Sequence, residues 1–475
     1  MAAGRTHIRS QNAWLILMDV VCLVLGSIAG AVLRLGPEDM GPYVYDHLDG
    51  WLIFAGGIIL ANYLAGAYRF QHVFSRFDIL VAWLFSLSLA MLVLSITSYA
   101  WFRLLLGRGV LLLAVAFYGA LSLLVRMAVV KTVFRSELFQ CRTAIMGMGE
   151  RARHAKRIVE SSLVLPAHKV VVYLGLIRGG KRDEDIAAFN VIDGVGVLKT
   201  DQTAIVDIVR SLNVDLIIAA PDDLSETAQF YPQLRRLRFD GVEVLSYASV
   251  VEIYNGRIPL DMLTEESLMQ MTWESNMPLV SEFKRMLDIV ISLLVGIVLL
   301  PVGLIVALLI KISAPQSSVL YSQLRVGHFG KVFRIYKFRT MRENAEDETG
   351  PVWASVNDPR ITRLGKVLRR FRLDEIPQLV NVIAGDMSLV GPRPERPEIC
   401  EGLSRKIPYF SERQNVMPGI SGWAQIKYPY GDSIEDARRK LEYDLYYIKH
   451  LTLRMDLEII LRTLRIVLFG KERNV

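Results

Sequence analysis

The sequence predicts a membrane protein of mixed class, α plus α/β, in which spanning helices precede a parallel α/β domain and a helix-rich C-terminal domain. Three observations carry that prediction. The 475 residues are 52% hydrophobic with a mean hydropathy of +0.32, yet 22% are charged, so apolar and charged residues must be segregated along the chain. The apolar residues gather in four long runs before residue 136 and in a fifth after residue 284. Between and beyond these runs lie a stretch of alternating strand-like and helix-like segments and a basic, helix-rich stretch.

The runs Ala13–Leu33, Trp51–Tyr68, Ile79–Ala100 and Val110–Val130 each approach the roughly 20 residues that cross a hydrocarbon core as a helix, so residues 1–136 are expected to form a four-helix transmembrane region. The first run is full length and lacks a small-residue cleavage site, so it is expected to stay as an anchor. Arg5 and Arg9 before it, Arg69 and Arg76 after the second run, and Arg126, Lys131 and Arg135 at the end of the fourth put both ends in the cytoplasm. Arg103 and Arg108 run against that orientation. Asp19, inside the first run, carries a costly charge and is expected to be solvated or paired near the cytoplasmic end.

The formal net charge of +7 and pI near 9.2 suit a surface resting on anionic headgroups better than nucleic acid. Cys22, Cys141 and Cys400 are isolated in sequence, which suggests neither a disulfide framework nor a zinc site.

Residues 137–265 read as a Rossmann-like domain, because TAIMGMG, KVVVYLGLI, VDLIIAAP and GVEVLSY alternate with helical segments. Gly147, Gly149 and Ala152 form G-x-G-x-x-A after the first strand, a pattern that can hold a pyrophosphate. The second strand ends at Ile177 and Arg178, with no acid to hold a ribose, which favours a structural or regulatory role over dinucleotide binding.

The third region, 280–475, opens with the apolar run Ile289–Ile310. Pro301 sits at its middle, with Lys284 and Arg285 before it and Lys311 after it. A helix-break-helix hairpin over 284–312, dipping into the membrane and returning, keeps both basic flanks on one side and is preferred over a fifth span. The later helices, around RKLEYDLYYIKHLTLRMDLEIILRTLRIVLF, suit either a membrane surface or an ordinary core.

The chemistry concentrates in RRFRLDEIPQLVNV. Asp374 and Glu375 follow a basic helical face that carries Arg363, Lys366, Arg369, Arg370 and Arg372. Solvation explains such a face, and capping of the next helix, with Pro377 in its first turn, explains Asp374. Neither explains the neighbouring YKFRTM and GDMSLVGPRPERPE. Together these offer Lys337, Arg339, Arg369 and Arg393 as a clamp for two phosphates, and the cations should stabilise an ionised carboxylate among them. Such a carboxylate can hold Mg²⁺, activate a nucleophile, or attack phosphorus itself.

From about Phe283 to Lys471 the chain resembles the monotopic phosphoglycosyl transferases, or bacterial sugar transferases. The resemblance rests on Lys284, Arg285 and Asp288, the proline-broken hairpin, and the blocks Gln323–Met341, Asp358–Arg370, Leu373–Pro394, Met417–Gln425 and Glu442–His450. The four spans and Rossmann-like domain extend it to the large members. It implies transfer of a hexose 1-phosphate, glucose first and galactose second, from a UDP-hexose to undecaprenyl phosphate with release of UMP, at the start of exopolysaccharide or capsule assembly. It also implies that Asp374 is the nucleophile and contact of a Mg²⁺ cofactor, that Glu375 is its partner, and that Lys337, Arg369 and Arg393 bind phosphate. Gln378, Asn381, Gln425 and Asp444, inside the matching blocks, are further candidate site positions. The implied place is the bacterial cytoplasmic membrane, with the catalytic domain in contact with the lipid bilayer and facing the cytoplasm. Homo-oligomerisation is left open.

One departure is visible: PQSSVLY puts Ser317 and Ser318 where the family commonly has a Gly-Pro pair. Two alternatives from other classes are a membrane-bound nucleotide-sugar dehydratase, whose Y-x-x-x-K pair is absent from the sequence, and a non-enzymatic membrane sensor, which leaves the Asp374–Glu375 cluster without a purpose.

Overall fold

The computed structural model describes residues 3–64, 106–132, 140–161, 167–176, 191–200, 204–223, 228–269, 278–342, 358–428 and 433–469, with isolated positions between 68 and 91 and Gly431. These fall into two units, Met1–Asn255 and Gly256–Val475.

The first unit opens with α1 (Ala3–Leu35), α2 (Pro37–Asp46), α3 (Leu48–Leu64) and α4 (Arg108–Thr132). Leu15–Leu35 and Arg108–Val129 are long and apolar enough to cross a membrane, in agreement with the first and fourth expected runs. They pack closely because Gly26 and Gly30 leave room for the other backbone: a Cβ on Gly30 would lie 2.5 Å from the Ala114 nitrogen. The four-span expectation changes in its middle. The second run begins within α3, which meets α2 at a bend of 83°, and most of the third run, Ile79–Ala100, lies outside the described residues. Asp19 is buried and paired: Arg126 donates to it at 2.5 Å and Asn62 at 3.0 Å.

The α/β part contains strands β1 (Cys141–Met146), β2 (His168–Leu176), β3 (Val191–Ile192), β4 (Val195–Thr200), β5 (Leu216–Ala219) and β6 (Glu243–Ser246). They form one sheet in the order β3-β4-β2-β1-β5-β6, parallel except for the β3–β4 pair. Helices α5 (Glu150–Val159), α6 (Ala204–Ser211), α7 (Tyr231–Phe239) and α8 (Tyr247–Asn255) complete it. One core joins Ala152 and Ile158 to Val250 and Val251, and the other joins Ile205 and Val209 to Leu234 and Leu237, so the sheet is covered on both faces.

The G-x-G-x-x-A turn is closed from within the chain. Asp222 Oδ1 accepts the Arg151 backbone N–H at 3.2 Å, and a Cβ on Gly149 would fall inside the Asp222 carboxylate. A side-chain anion thus stands where a pyrophosphate would approach the helix N-terminus.

The second unit contains α9 (Pro278–Ser313), the antiparallel hairpin β7 (Leu320–Val326) and β8 (Val332–Phe338), α10 (Arg363–Arg370), α11 (Gln378–Ala384), β9 (Ser388–Val390), α12 (Pro397–Ser404), β10 (Gly419–Ser421), α13 (Trp423–Lys427), α14 (Ile434–Lys449) and α15 (Leu453–Phe469). The division after Asn255 puts residues 256–265 in this unit, although the sequence assigns them to the α/β domain. Their Ile258 and Leu260 share a core with Trp423, Leu441, Leu445 and Ile459.

The backbone of α9 stays helical through Pro301, and the hairpin over 284–312 stands as an expectation about how this helix meets the membrane. Proline removes one backbone donor, but the turns on both sides are supported. Before Pro301, Arg285 donates to the carbonyls of Val382 and Ile383 at 2.5 and 2.9 Å, and Lys284 to Asp456 at 2.6 Å. After it, Val306 and Ile310 pack on Phe338 and Leu368. Both halves therefore rest against the same unit. The opposite face leaves Leu294, Ile297, Val298, Leu304 and Ile312 more than half exposed, which marks α9 as membrane-associated.

Candidate active site

The site is built around one irregular turn. Thr362 caps α10 by accepting the Gly365 N–H at 2.9 Å, and Gly365 lies so close to the Thr340 carbonyl that a Cβ would be 2.1 Å from it. The end of β8 and the start of α10 are thereby clamped together. After α10, Arg372 adopts the left-handed conformation, φ 54°, and the chain makes a 3-10 turn over Leu373–Glu375 before α11. Asp374 makes no capping hydrogen bond, and Pro377 occupies the N-cap position of α11. The capping account of Asp374 therefore fails, and the residue is buried without a capping hydrogen bond among the described residues.

Three cations converge on its neighbour. Glu375 lies 3.1 Å from Arg393 Nη2, 3.3 Å from Arg372 Nη1 and 3.8 Å from Lys337 Nζ. Asn381 explains the approach of Lys337: it accepts the Tyr336 N–H at 3.2 Å and donates to the Arg334 carbonyl at 2.8 Å, fastening α11 to β8. Arg393 is placed by a tight crossing of two loops. The Gly391 N–H donates to Ser421 O and the Gly419 N–H to Pro392 O, both at 2.9 Å, and a Cβ on Gly391 would lie 2.1 Å from Met417 O. Behind it, Arg413 Nη2 donates to the Arg393 carbonyl at 2.9 Å and is held by Asp444 at 2.8 Å.

The two adjacent carboxylates differ sharply. Burial opposes the charge on Glu375, but Arg393, Lys337 and Arg372 outweigh it and hold the group at about 2. Asp374 is pushed upward, first by burial and then by the Glu375 charge, against the pull of Lys337, Arg369 and Arg393. Of the two carboxylates, Glu375 is the one whose ionised form the cations stabilise against burial. The Asp374 carboxylate has no hydrogen bond or ion pair among the described residues. Lys337 is lowered to about 8 by burial and by Arg393, with Glu375 opposing.

The other expected residues divide. Arg369 donates to Thr340 Oγ1 at 2.9 Å and acts on Asp374 through its charge. Arg339 donates to Ser318 O at 2.9 Å and to Ser318 Oγ at 2.6 Å, so the departure at Ser318 engages its guanidinium. Gln425 accepts from Arg372 at 3.5 Å, and its amide nitrogen, like that of buried Gln378, has no hydrogen-bond partner among the described residues. Asn381 bonds to the β8 backbone and Asp444 pairs with Arg413. Arg372 and Arg413 went unassigned as site residues. Arg372 stood in view beside the motif, whereas Arg413 lies in a stretch without motif character.

No three His, Cys, Asp or Glu side chains gather as a metal cage among the described residues. The Asp374 carboxylate, without a hydrogen bond or ion pair among the described residues, would suit one contact of a Mg²⁺.

Residues 279–470 match the family described as bacterial sugar transferase. Among similar proteins, the UDP-N-acetylgalactosamine-undecaprenyl-phosphate N-acetylgalactosaminephosphotransferase of Aeromonas hydrophila is 37% identical over 260 residues, covering 55% of this chain and 60% of that protein. The UDP-glucose:undecaprenyl-phosphate glucose-1-phosphate transferase of Escherichia coli K12 is 40% identical, over 38% of this chain and 39% of that protein. The exopolysaccharide production protein PSS of Rhizobium leguminosarum is 41% identical over 38% of this chain and 92% of its own length. The chain thus spans less than two thirds of the first two relatives.

Proposed function

Because the chain belongs to the bacterial sugar transferase family, we propose that it transfers a hexose 1-phosphate from a UDP-hexose to undecaprenyl phosphate and releases UMP. The observation that carries this reading is the contrast between the paired carboxylate of Glu375 and the free one of Asp374.

In the first step an Asp374 oxygen attacks the sugar-bearing β-phosphorus, the bond to the bridging oxygen breaks, and UMP leaves with the electron pair. An aspartyl-phosphosugar remains. In the second step an oxygen of the polyprenyl phosphate attacks the same phosphorus, and Asp374 leaves as a carboxylate. Lys337 and Arg393 neutralise the donor's phosphates. Glu375 stays charged throughout, holding both cations in place without competing as a nucleophile. Asp374 would be the residue to hold a Mg²⁺, which when bound would supply Lewis-acid withdrawal of charge from the phosphates.

Both halves of α9 rest on the unit that holds the site, which supports an enzyme seated on one face of the membrane, its catalytic unit on the cytoplasmic side of a bacterial inner membrane where nucleotide sugars are made. The Rossmann-like domain, its glycine turn filled by Asp222, takes a structural or regulatory part.

Glucose is the donor sugar inferred from the family resemblance and from the Escherichia coli relative. The longer alignment with the Aeromonas hydrophila protein favours N-acetylgalactosamine as a second reading. A UMP-release screen across UDP-sugars with undecaprenyl phosphate and Mg²⁺ tests both: one donor should be used best, and no release from any donor would overturn the activity.

A further inference from the structure

The segment Gly256–Leu268 precedes the family-matched region, which begins at residue 279, yet it is stapled into the second unit. Trp423 Nε1 donates to the Gly256 carbonyl at 2.8 Å. The Ile258 N–H donates to Glu442 O at 3.0 Å, and Arg257 Nη1 donates to Glu442 Oε2 at 2.5 Å. Glu442 is 5% exposed and is also held by Arg439 at 2.9 Å. Ile258, Leu260 and Leu268 are buried in the same core as Trp423.

Trp423 is the first residue of α13, the five-residue helix that carries Gln425. Gln425 Oε1 accepts from Arg372 Nη1, and that same nitrogen donates to Glu375 at 3.3 Å. A short helix of this kind has too few internal hydrogen bonds to fix its own orientation. Its hold on the site must come from what packs on it. Gly256, at φ +65°, brings the strap backbone against the indole so closely that a Cβ would stand 3.0 Å from Trp423 Cζ2.

We propose that the strap Gly256–Leu268 positions the active site, orienting α13 so that Gln425 keeps Arg372 on Glu375 and turns its unpartnered amide N–H toward a substrate oxygen. This rests on the transferase reading given above. Arg257 and Gly256 are positioning residues that touch no substrate, and their effect belongs in turnover rather than in donor capture.

The test uses the full chain in its membrane. Arg257→Ala leaves Glu442 paired with Arg439, and should lower kcat for UMP release at least fivefold with KM for the UDP-sugar within twofold. Amide exchange at Ile426 and Tyr428, whose N–H groups close α13, should speed up, and Arg257→Lys should restore both. If Arg257→Ala does not fold, Gly256→Ala is measured in its place with the same expectation. Unchanged kcat and unchanged exchange beside an active wild type overturn the strap's role, as does a stability loss with kcat intact. A wild type that releases no UMP from any donor sinks the transferase reading instead, while the exchange rates still report whether the strap holds α13.

Discussion

Arg393 donates to Glu375 at 3.1 Å from eighteen residues away, while Asp374, the immediate neighbour of Glu375, has no such partner among the described residues. That asymmetry leaves Glu375 paired with the cations and the Asp374 carboxylate without a counter-charge in contact among the described residues.

Asp374→Asn should therefore abolish the trapped phosphosugar adduct and UMP release while leaving the fold intact. Removing a charge pressed against Glu375 costs no pairing, so Tm should stay within about 3 °C of wild type or rise. Glu375→Gln should behave oppositely, losing about 3 kcal/mol of stability because three cations lose their buried counter-charge. Thermal unfolding beside adduct labelling separates the two, and an Asp374→Asn protein that still forms the adduct excludes the assignment.

The pH profile should report Lys337. Its ammonium is present below about 8 and is lost above it, because burial and Arg393 lower it from the usual lysine value. The sign follows: kcat/KM should fall on the alkaline side of about 8, and Lys337→Arg, which stays charged, should move that limb upward. A limb that stays in place in Lys337→Arg would assign it to another group.

The arginines should separate cleanly. Arg393→Ala should cost about 2 kcal/mol in transition-state stabilisation, roughly thirtyfold in kcat/KM, since it removes a charge-assisted fork. Arg339→Ala should change kcat/KM by less than about threefold, because Ser318 already occupies its guanidinium. Steady-state kinetics on both variants decide whether Arg339 belongs to the clamp.

Cysteines placed at the two ends of α9, Glu282→Cys and Ile312→Cys, should react with an impermeant reagent from the same side of the membrane. Labelling from opposite sides would make α9 a crossing helix and remove the one-face arrangement.

What the sequence disclosed follows its physics. Long apolar runs announce α1, α4 and α9 because hydropathy is additive along a chain, and the alternating runs of residues 141–246 disclose the parallel sheet. The Asp374–Glu375 pair, Lys337 and Arg393 were legible because they sit in dense motifs. The aim of a long side chain was not: Arg339 lies two residues from Lys337 yet turns to Ser318, and Arg413 reaches Arg393 from the 3-10 turn Phe410–Gln414, which carries no motif. Asp222 reaches the glycine turn from 71 residues away, a pairing no local pattern encodes. At Pro301 the backbone stays helical, with packing of Val306 and Ile310 after the proline.

The uncovered apolar flank of α9 sets the arena in which the protein works. A molecule tethered to a lipid sheet meets a lipid-borne reactant by lateral diffusion, so the governing variable is mole fraction within the sheet rather than bulk molarity. Adding inert lipid or detergent at constant total amounts of protein and acceptor should slow the reaction by thinning the surface on which the two collide, and rate constants obtained in micelles will carry that dilution with them.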